Sequence, residues 1–407
     1  MIKRIIIAAV IILVVGGIIT AAAVHMKKHK NDHILDGPGM VRQPHDYIDY
    51  CSYSYGGGME GTMPLSSSTI IHKEKRLLLL KKMILFGFCF CLALCLCACS
   101  EAETTEPEFV LTYAENQPQN YPTSLGGERF AELVKERTEG KVIIQVKYAG
   151  EYGTDEEVVN QMQFGGIDFA RISLAVVADE VPVLNVLQMP FLYQDAAHMW
   201  RILDGETGTE LLQVFQEAEL IGMSWYDSGA RSFYSTKPIY SIGDLKGMSV
   251  RVQNSQLAMD MVSLLGAKPV YVDHNDVHYA FETRKITAAE NNWPVYQYMD
   301  HYQVAKYYTV VEHTRVPDVQ IASKRTWEIL PEEYREIILE CAKESALYQR
   351  NLWVRNDIFA RATVIDSGCE IIFLEPDQKQ EFRKAVEPLY DQYCSEYLDL
   401  VERIRNA

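Results

Sequence analysis

The chain has 407 residues, 48% of them hydrophobic and 23% charged, a composition that excludes a disordered chain and a small disulfide-stapled domain. Its formal net charge of −16 argues against general nucleic-acid binding, so any anion site must be a local concentration of Arg, Lys or helix N-termini. Residues 1–98 carry 11 Lys and Arg against 6 Asp and Glu, so the acidic excess lies in residues 99–407.

Two membrane-directed signals precede the rest of the chain. Residues 5–24 are uncharged, are flanked by basic residues and are long enough to span a bilayer as a helix. Residues 73–76 and 81–82 form a basic region, and the apolar run 83–98 that follows ends in small residues, which is the arrangement of a secretory signal. We therefore assign residues 1–62 to a hydrophobic segment and polar linker, from a fusion or a misplaced start codon, and residues 63–98 to a signal peptide.

The end of this signal carries a further motif. Residues 96–99 read Leu-Cys-Ala-Cys and resemble the lipobox of bacterial lipoproteins, which implies that Cys99 is the lipidated first residue of the mature protein. Residues 99–107 then form a tether, and the 309 residues from Cys99 onward lie outside the cytoplasmic membrane. The alternative is a transmembrane helix that happens to be rich in cysteine.

The remaining sequence alternates strand and helix patterns, which predicts parallel sheet flanked by helices, with ligands at the carboxyl ends of the strands. Only three cysteines occur there, too few and too scattered for a disulfide framework. Strands are predicted at residues 109–113, 142–148, 167–172, 220–226, 248–252, 268–272, 286–290, 317–323 and 370–374. Helices are predicted at residues 123–138, 155–164, 196–215, 256–265 and 277–284, and from 377 onward.

One predicted helix is much longer than the others. It begins at Pro331 with two glutamates in its first turn and meets no helix breaker before Gly368. A helix of some thirty residues is about 45 Å long, which exceeds one small domain. We expect it to run along two domains as a spine.

No catalytic signature is present. The sequence contains no nucleophile elbow, phosphate-binding loop, dinucleotide loop or zinc-protease motif, so we expect no catalytic residue, no metal and no cofactor. Lone histidines such as His274 and His313 are more often structural than ligating. The acids Asp155, Glu156 and Glu157 are interpreted as a solvated helix face.

Two arginines stand out from this background. Arg231 follows the strand 220–226, and Arg251 ends the strand 248–252. An arginine among apolar strand neighbours is costly unless it is paired, and two that converge would suit a carboxylate. The alternative is that each pairs with an internal acid such as Asp244.

A polar and aromatic cluster follows the predicted strand 286–290. Residues 290–294 read Glu-Asn-Asn-Trp-Pro, and amides beside an aromatic ring suit the recognition of hydroxyls and of a sugar ring. The alternative is a turn with a capping Asn and a core Trp.

Residues 108–400 resemble the solute-binding proteins of TRAP transporters, the tripartite ATP-independent periplasmic transporters of the DctP type. This resemblance implies an α/β, periplasmic-binding-protein-like fold of two domains, joined by crossing strands and one long spine helix, with the ligand closing the cleft. The segments that carry it are 140–146, 163–168, 187–193, 229–231, 244–251 (DLKGMSVR), 265–269 and 289–292.

The resemblance also implies roles for particular residues. The arginine that holds the ligand carboxylate in this family corresponds to Arg251, a second arginine twenty residues earlier to Arg231, and a pocket asparagine forty residues later to Asn291. Two departures affect ligand identity. Thr287-Ala288 stands where Asp-Gly is frequent, and His274 stands where an aromatic residue lines the pocket.

The segments 114–116, 169–173, 229–234 and 289–294 look more like members that bind hexuronates than members that bind sialic acid or C4-dicarboxylates. For such a ligand, Arg251 and Arg231 would hold the carboxylate. The other expected binding residues are Glu115, Arg171, Asn291 and Asn292 for hydroxyls, and His274 or Trp293 for the ring.

The sequence therefore predicts a lipid-anchored extracytoplasmic receptor that delivers glucuronate, galacturonate or a similar acidic sugar to a TRAP permease in the membrane. The alternatives are a receptor for a C4-dicarboxylate or other organic acid and, from another class, a surface enzyme acting on a glycan. The predicted domains are residues 108–228 with 317–356 and residues 229–316 with 357–407.

Overall fold

The computed structural model describes residues 78–88 and 106–407. Residues 78–88 form an exposed helix inside the predicted signal. Residues 106–407 belong to one compact unit that does not include this helix. The predicted span 5–24 and the lipidation site Cys99 lie outside the described residues. Within the described ranges, no helix has the length and apolarity that a membrane crossing needs.

The compact unit contains two mixed β-sheets. The first sheet has the strand order β2-β1-β3-β10-β4, and the second has the order β11-β9-β5-β8-β6-β7. The strands are β1 Phe109–Ala114, β2 Val142–Lys147, β3 Phe169–Ser173, β4 Leu220–Tyr226, β5 Arg231–Ser235, β6 Ser249–Val252, β7 Lys268–Tyr271, β8 Ala288–Asn291, β9 Tyr307–Thr314, β10 Asp318–Ser323 and β11 Glu370–Phe373.

Helices cover both sheets. The α-helices are α1 Pro122–Arg137, α2 Asp155–Gln163, α3 Leu174–Val177, α4 Ala196–Leu203, α5 Glu206–Gln213, α6 Gln256–Leu264, α7 Val277–Glu282, α8 Trp293–Tyr298, α9 His301–Val304, α10 Lys324–Ile329, α11 Glu332–Asp366, α12 Pro376–Val386, α13 Pro388–Cys394 and α14 Leu398–Arg405. Short 3₁₀ turns occupy Pro182–Gln188, Val214–Ala218, Ile242–Leu245 and His274–Asp276.

The long helix is confirmed. Helix α11 spans 35 residues, begins directly after Pro331 and ends before Gly368, whose φ of +78° is the left-handed conformation that glycine adopts most readily. It packs against helix α1 and against strand β4, which belongs to the first sheet. Further along, it packs against helix α8, which follows strand β8 of the second sheet. The predicted α/β fold class with its spine helix is thus confirmed, while the assignment of segments to two domains stays a prediction.

The alternation of strands and helices predicts parallel sheets, but both sheets also contain antiparallel strands. Strand β10 runs antiparallel to β3 and β4, and β5 runs antiparallel to β8 and β9. The sequence pattern did not predict β5 or β9, although the run Tyr-Tyr-Thr-Val-Val at the start of β9 favours a strand. These reversed strands matter for the site, because an antiparallel strand begins at the edge where its parallel neighbours end.

One predicted helix is two helices. The pattern 196–215 continues through Gly205, but α4 ends at Leu203 and α5 starts at Glu206. Gly205 has an extended backbone there, and a Cβ at this position would lie 3.0 Å from the carbonyl oxygen of Arg201. Close packing of the two helices therefore overrides their common periodicity.

Cys341, Cys369 and Cys394 are free and buried. They act as small apolar side chains in the core, in agreement with a fold that does not depend on disulfides.

Candidate functional site

A cavity of about 260 Å³ lies where strands of both sheets end. Strands β6 and β8 bring Arg251 and Asn291 to it at their carboxyl ends, and the reversed strands β5 and β10 bring Arg231 and Asp318 at their first residues. Arg171, inside β3, lies opposite β10 in the sheet. Residues distant in sequence thus meet because parallel ends and antiparallel beginnings share one edge.

Six of the eight predicted binding residues line this cavity, and two do not. The six are Arg171, Arg231, Arg251, His274, Asn291 and Asn292. Glu115 lies behind Arg171, and Trp293 lies in the core.

Arg251 is buried, with 3% of its surface exposed. Its Nε–H donates to the carbonyl oxygen of Val272 at 2.9 Å, and among residues 106–407 no carboxylate lies within ion-pair distance of its guanidinium. Burial lowers the pKa of Arg251. Tyr234, Glu290 and Asp273 oppose this effect from a distance, and the neighbouring Arg231 adds to it. Arg251 therefore presents its terminal N–H groups, the fork that binds a carboxylate in bidentate fashion, to the cavity without an internal counter-ion.

Arg231 is in the opposite situation. Its Nε and Nη2 donate to the carboxylate of Glu290 at 2.5 and 2.8 Å, and Nη2 also donates to the Glu290 carbonyl oxygen at 2.9 Å. Its Nη1 donates to Asn291 Oδ1 at 3.0 Å. Burial alone would raise the pKa of Glu290, but Arg231 and His313 hold it at about 2. The partner of Arg231 is thus Glu290 and not Asp244, which accepts hydrogen bonds in its own turn from Tyr240 and Ser241.

The turn before Arg231 is held by the spine helix. Gln349 of α11 accepts a hydrogen bond from the Asp227 N–H at 2.9 Å and donates to the Asp227 carbonyl oxygen at 2.8 Å. Gly229 has a φ of +65°, and a Cβ there would lie 3.0 Å from Trp353 Nε1. A larger residue here would have a strained backbone and would press on Trp353 of α11.

Arg171 is also internally paired. Its Nε donates to Glu115 Oε2 at 3.1 Å, its Nη1 faces Asp318 Oδ2 at 3.4 Å, and its Nη2 contacts Glu115 and Asn116. Glu115 also accepts the backbone N–H of Gln117 at 2.9 Å. Glu115 is therefore placed to orient Arg171, and Asn116 and Asp318 are the neighbouring groups that reach the cavity.

The cluster at residues 290–294 combines both interpretations of its sequence. Asn291 lines the cavity, and its Oδ1 is occupied by Arg231 and by the Asn292 N–H, so its Nδ2 is the group left for a ligand. Asn292 caps α8, accepting the Val295 N–H at 2.8 Å. Trp293 is 4% exposed and stacks on Tyr308 with ring centroids 3.6 Å apart, which removes it as a cover for a sugar ring.

His274 is the candidate that remains for the ring contact. It lines the cavity, and burial together with Arg251 lowers its pKa to about 3, so its imidazole is neutral near pH 7. Its Nε2 has no hydrogen-bond partner among the described residues. His313, in contrast, is a core residue that stacks on Phe233 and faces Glu290 at 3.5 Å.

Sequence reasoning missed several acids of the cavity. Asp155, Glu156 and Glu157 all line it, although Glu156 and Glu157 are also exposed, as the interpretation of a solvated helix face expects. Asp155 accepts hydrogen bonds from Asn116 Nδ2 at 2.7 Å and from the Ser173 N–H at 3.2 Å. The sequence pattern did not single out Asp318. Its signal is a charged residue at the start of a strand whose residues are all buried.

Two of these acids have perturbed titration. Burial raises the pKa of Asp155 to about 7 and that of Asp318 to about 6, the latter against the lowering effect of Arg171. Asp155 also faces the negative charges of Asp318 and Asp273. The cavity therefore combines one free guanidinium with amides and carboxyls able to bind hydroxyl groups, which suits a small polyhydroxylated carboxylate.

The chain is similar to known proteins. Residues 113–396 match the family model of DctP, bacterial extracellular solute-binding protein, family 7. A solute-binding protein of Chromohalobacter salexigens is 35% identical over 284 residues, which cover 70% of this chain and 84% of the relative.

Two solved structures are similar as well. A TRAP periplasmic solute-binding protein of Xanthobacter autotrophicus Py2 with bound β-D-galacturonate is 36% identical, with a TM-score of 0.71 over 73% of this chain and 99% of that one. Another, from Pseudomonas putida F1 with bound D-glucuronate, is 33% identical, with a TM-score of 0.71 over 73% of this chain and 97% of that one.

Proposed function

The chain belongs to the DctP family of bacterial extracellular solute-binding proteins, and from this we propose that it is the receptor of a TRAP transporter for a hexuronate such as galacturonate or glucuronate. One observation of the site carries the proposal. Arg251 is a buried guanidinium without an internal counter-ion at the wall of a cavity. A buried unpaired charge is costly in the empty protein, and a ligand carboxylate removes that cost.

The size and polarity of the cavity support a single sugar unit. Its volume of about 260 Å³ is just below the roughly 300–1,000 Å³ typical of pockets for drug-sized ligands. Around Arg251, Asn291 Nδ2 can donate to a hydroxyl, and Asp155 and Asp318 can accept from hydroxyls. Similar solved proteins hold galacturonate and glucuronate.

The proposed cycle is receptor chemistry without turnover. The open cleft binds the anion, the ligand draws the walls of the cleft together through contacts made only in the closed form, and the closed form docks on the membrane permease. The protein works outside the cytoplasmic membrane, held there by lipid on Cys99, and it is not an enzyme.

Thermal stabilisation by a panel of ligands tests the proposal. Residues 101–407 are one compact unit and correspond to the part present in the solved relatives, which are matched over 97–99% of their length, so this part is suitable for the assay. We expect galacturonate or glucuronate to raise the melting temperature, because a ligand at a hundred times its Kd stabilises the native state by about 2.7 kcal/mol.

Galactose and glucose are the matched controls, because they keep the ring and its hydroxyls and lack the carboxylate. A shift with these neutral sugars as large as with the uronates would contradict the carboxylate clamp. A shift with succinate or malate alone would keep the receptor role and overturn the hexuronate.

We also expect affinity for a uronate to increase as the pH falls from 8 to 5.5. The sugar carboxylate stays ionised over this range, whereas Asp155 and Asp318, with pKa values raised to about 7 and about 6, take up protons. Their repulsion of the bound anion then decreases. The gain is up to about tenfold for each carboxyl whose pKa the ligand raises by one unit.

The same two carboxyls also make the stability of the empty protein depend on pH. Because their folded pKa values are raised, their contribution to stability is present below the unfolded pKa and is lost as the pH rises through about 6 to 7.

Isothermal titration calorimetry in buffers of different ionisation enthalpy measures both the affinity for a uronate and the proton uptake on binding. Proton release on binding, or equal affinity at pH 5.5 and 8, would contradict the expected increase of uronate affinity at low pH.

A further inference from the structure

A cavity of about 430 Å³ lies between the segment 190–194 and the C-terminal helices α12, α13 and α14. We call it the second cavity. None of its lining residues lines the cavity of Arg251, so the proposed uronate site does not account for it. Its volume lies within the roughly 300–1,000 Å³ of pockets that hold small organic molecules.

Three cations line the second cavity. Arg383 and Lys384 come from the last turn of α12, and Arg405 comes from the last turn of α14. Within residues 106–407, none of the three has a carboxylate at ion-pair distance, whereas Arg403 of the same helix α14 pairs with Glu210 at 2.8 Å. One carboxylate, that of Glu387, also lines the cavity. The lining thus has a formal charge of +2 in a chain whose net charge is −16.

Aromatic rings position two of these cations. The guanidinium of Arg383 lies over the ring of Phe191 at 5.3 Å from its centroid, and that of Arg405 lies over the ring of Tyr390 at 4.3 Å. A guanidinium that contacts a ring through its face keeps the N–H groups at its edge. The two arginines are therefore held in place while their donors stay available for an anion.

A buried hydroxyl adds a further donor. Tyr193 lines the second cavity and is only 9% exposed, and its hydroxyl has no hydrogen-bond partner among the described residues. The hydroxyl of Tyr390, in contrast, donates to the carbonyl oxygen of Pro190 at 2.9 Å. A buried hydroxyl without a partner is costly, and an oxygen atom of a ligand in the cavity would remove that cost.

The segment that carries Tyr193 has a fixed backbone. Phe191 adopts the left-handed conformation with a φ of +56°, and its N–H donates to the carbonyl oxygen of His313 in β9 at 2.8 Å. A bulky residue keeps this conformation only where its surroundings hold it, and such residues are frequent at ligand sites. The aromatic wall of the second cavity is therefore preformed.

We propose that the second cavity binds a phosphate monoester. At pH 7 such a group carries about −1.5 to −2 charges and three acceptor oxygens, which matches a lining charge of +2. Arg383, Arg405 and Tyr193 supply the directional donors, and Lys384 adds a point charge. A carboxylate would use only one charge and two oxygens. The ring of Phe191 offers an apolar surface to the organic part of the ester.

Two sources share this chemistry. One is a free phosphate ester in the medium, and the other is the head group of phosphatidic acid in the membrane to which the chain is proposed to be anchored. Both present a phosphate monoester to the same donors, so the site is tested first and its source afterwards.

Calorimetric titration of the 101–407 protein with phenyl phosphate tests the site. At pH 7.5 and with saturating galacturonate present, we expect one equivalent to bind. Phenyl sulfate is the matched control, since it keeps the ring and carries a single charge, and we expect it to bind about tenfold more weakly. Arg251→Ala should bind phenyl phosphate like the wild type, so the result does not depend on the uronate proposal. No binding of phenyl phosphate, or equal affinity for phenyl sulfate, would overturn the proposal.

Substitutions locate the binding. Arg383→Gln and Arg405→Gln should each weaken phenyl phosphate binding about tenfold, because each removes a charge-assisted hydrogen bond. Tyr193→Phe keeps the ring, removes the hydroxyl and should weaken binding about threefold to tenfold. Arg403→Gln is the matched control on α14 and should not change the affinity, since Arg403 lies outside the second cavity. The uronate-induced thermal shift should persist in all four variants. Equal affinity in all four would overturn the proposal.

Co-sedimentation with phosphatidylcholine vesicles, with and without phosphatidic acid, identifies the source. Binding that requires phosphatidic acid and is lost in Arg405→Gln would support the site and assign it to the lipid head group. Binding of phenyl phosphate without binding to either vesicle would support the site and assign it to a free ester. Binding of a hexaglutamate peptide without affinity for phenyl phosphate would overturn the proposal, because the cavity would then bind an acidic protein segment.

Discussion

Replacement of Arg251 by alanine is expected to abolish measurable uronate binding while leaving the empty protein folded. Arg251 is the cavity guanidinium without an internal carboxylate, so in the complex it is the counter-ion of the ligand. Truncating one partner of a buried, hydrogen-bonded charge pair costs about 2–5 kcal/mol, roughly a 30- to 5,000-fold loss of affinity. Calorimetric titration measures this loss.

The stability of the same variant distinguishes binding from folding. Without ligand, Arg251→Ala removes a buried unpaired charge together with one hydrogen bond to Val272, so we expect a melting temperature equal to or above that of the wild type. Arg403→Ala, which removes a half-exposed arginine paired with Glu210 at 2.8 Å, should leave affinity unchanged. Near-normal uronate affinity in Arg251→Ala would remove the carboxylate clamp from the proposed function.

The largest expected effect on stability comes from Glu290→Ala. This change leaves Arg231 buried without its carboxylate and close to the positive charge of Arg251. Breaking a buried ion pair from one side costs about 3–5 kcal/mol, which for a protein of this size lowers the melting temperature by on the order of 5–10 °C. Chemical denaturation monitored by circular dichroism measures the change in the free energy of unfolding.

A surface pair provides the comparison. Glu210 and Arg403 are also joined at 2.8 Å, but both side chains are 49% exposed, so Glu210→Ala should cost less than about 1 kcal/mol. The double variant Arg231→Leu with Glu290→Leu should recover much of the stability lost in Glu290→Ala, because an apolar pair leaves no buried charge. Equal effects of Glu290→Ala and Glu210→Ala would contradict the role assigned to the buried pair.

The pH response of this pair follows from the sign of its shift. The pKa of Glu290 is lowered to about 2, so the stability it contributes is present above its unfolded pKa and is lost as the pH falls through about 2. Arg231 thus stays paired over the whole range in which Asp155 and Asp318 titrate, so this ion pair does not contribute to the pH dependence of binding.

The three cavity arginines differ in whether a carboxylate of the protein holds them. Arg171 and Arg231 are each held by a carboxylate behind them, Glu115 and Glu290, and present little free hydrogen-bonding capacity. Their paired charges keep the walls of the cavity rigid and polar. Arg251 lacks such a partner, which reserves it for an anion from outside. A site with all three paired would have no reason to prefer a charged sugar over a neutral one.

Local sequence determined a large part of this protein. Residue-type periodicity predicts nine of the eleven strands, and the acidic first turn and Gly368 delimit the spine helix, because propensity and capping act over a few neighbouring residues. The spacing between Arg231, Arg251 and Asn291, read through the resemblance to TRAP receptors, led to three residues that line one cavity.

Only the tertiary structure decided which arginine is free. Arg231 and its partner Glu290 are 59 residues apart in the sequence. Arg171 is 56 residues from Glu115 and 147 residues from Asp318. No local sequence pattern encodes partners that are so far apart along the chain. The reversed strand β5 brings Arg231 to Glu290 of β8, and the reversed strand β10 brings Asp318 to Arg171 and to the cavity. The pair of Arg171 and Glu115 comes instead from the parallel neighbours β3 and β1. Ion pairing and burial depend on which chain segments pack together, so the charge state of the site is a property of the fold and not of any segment alone.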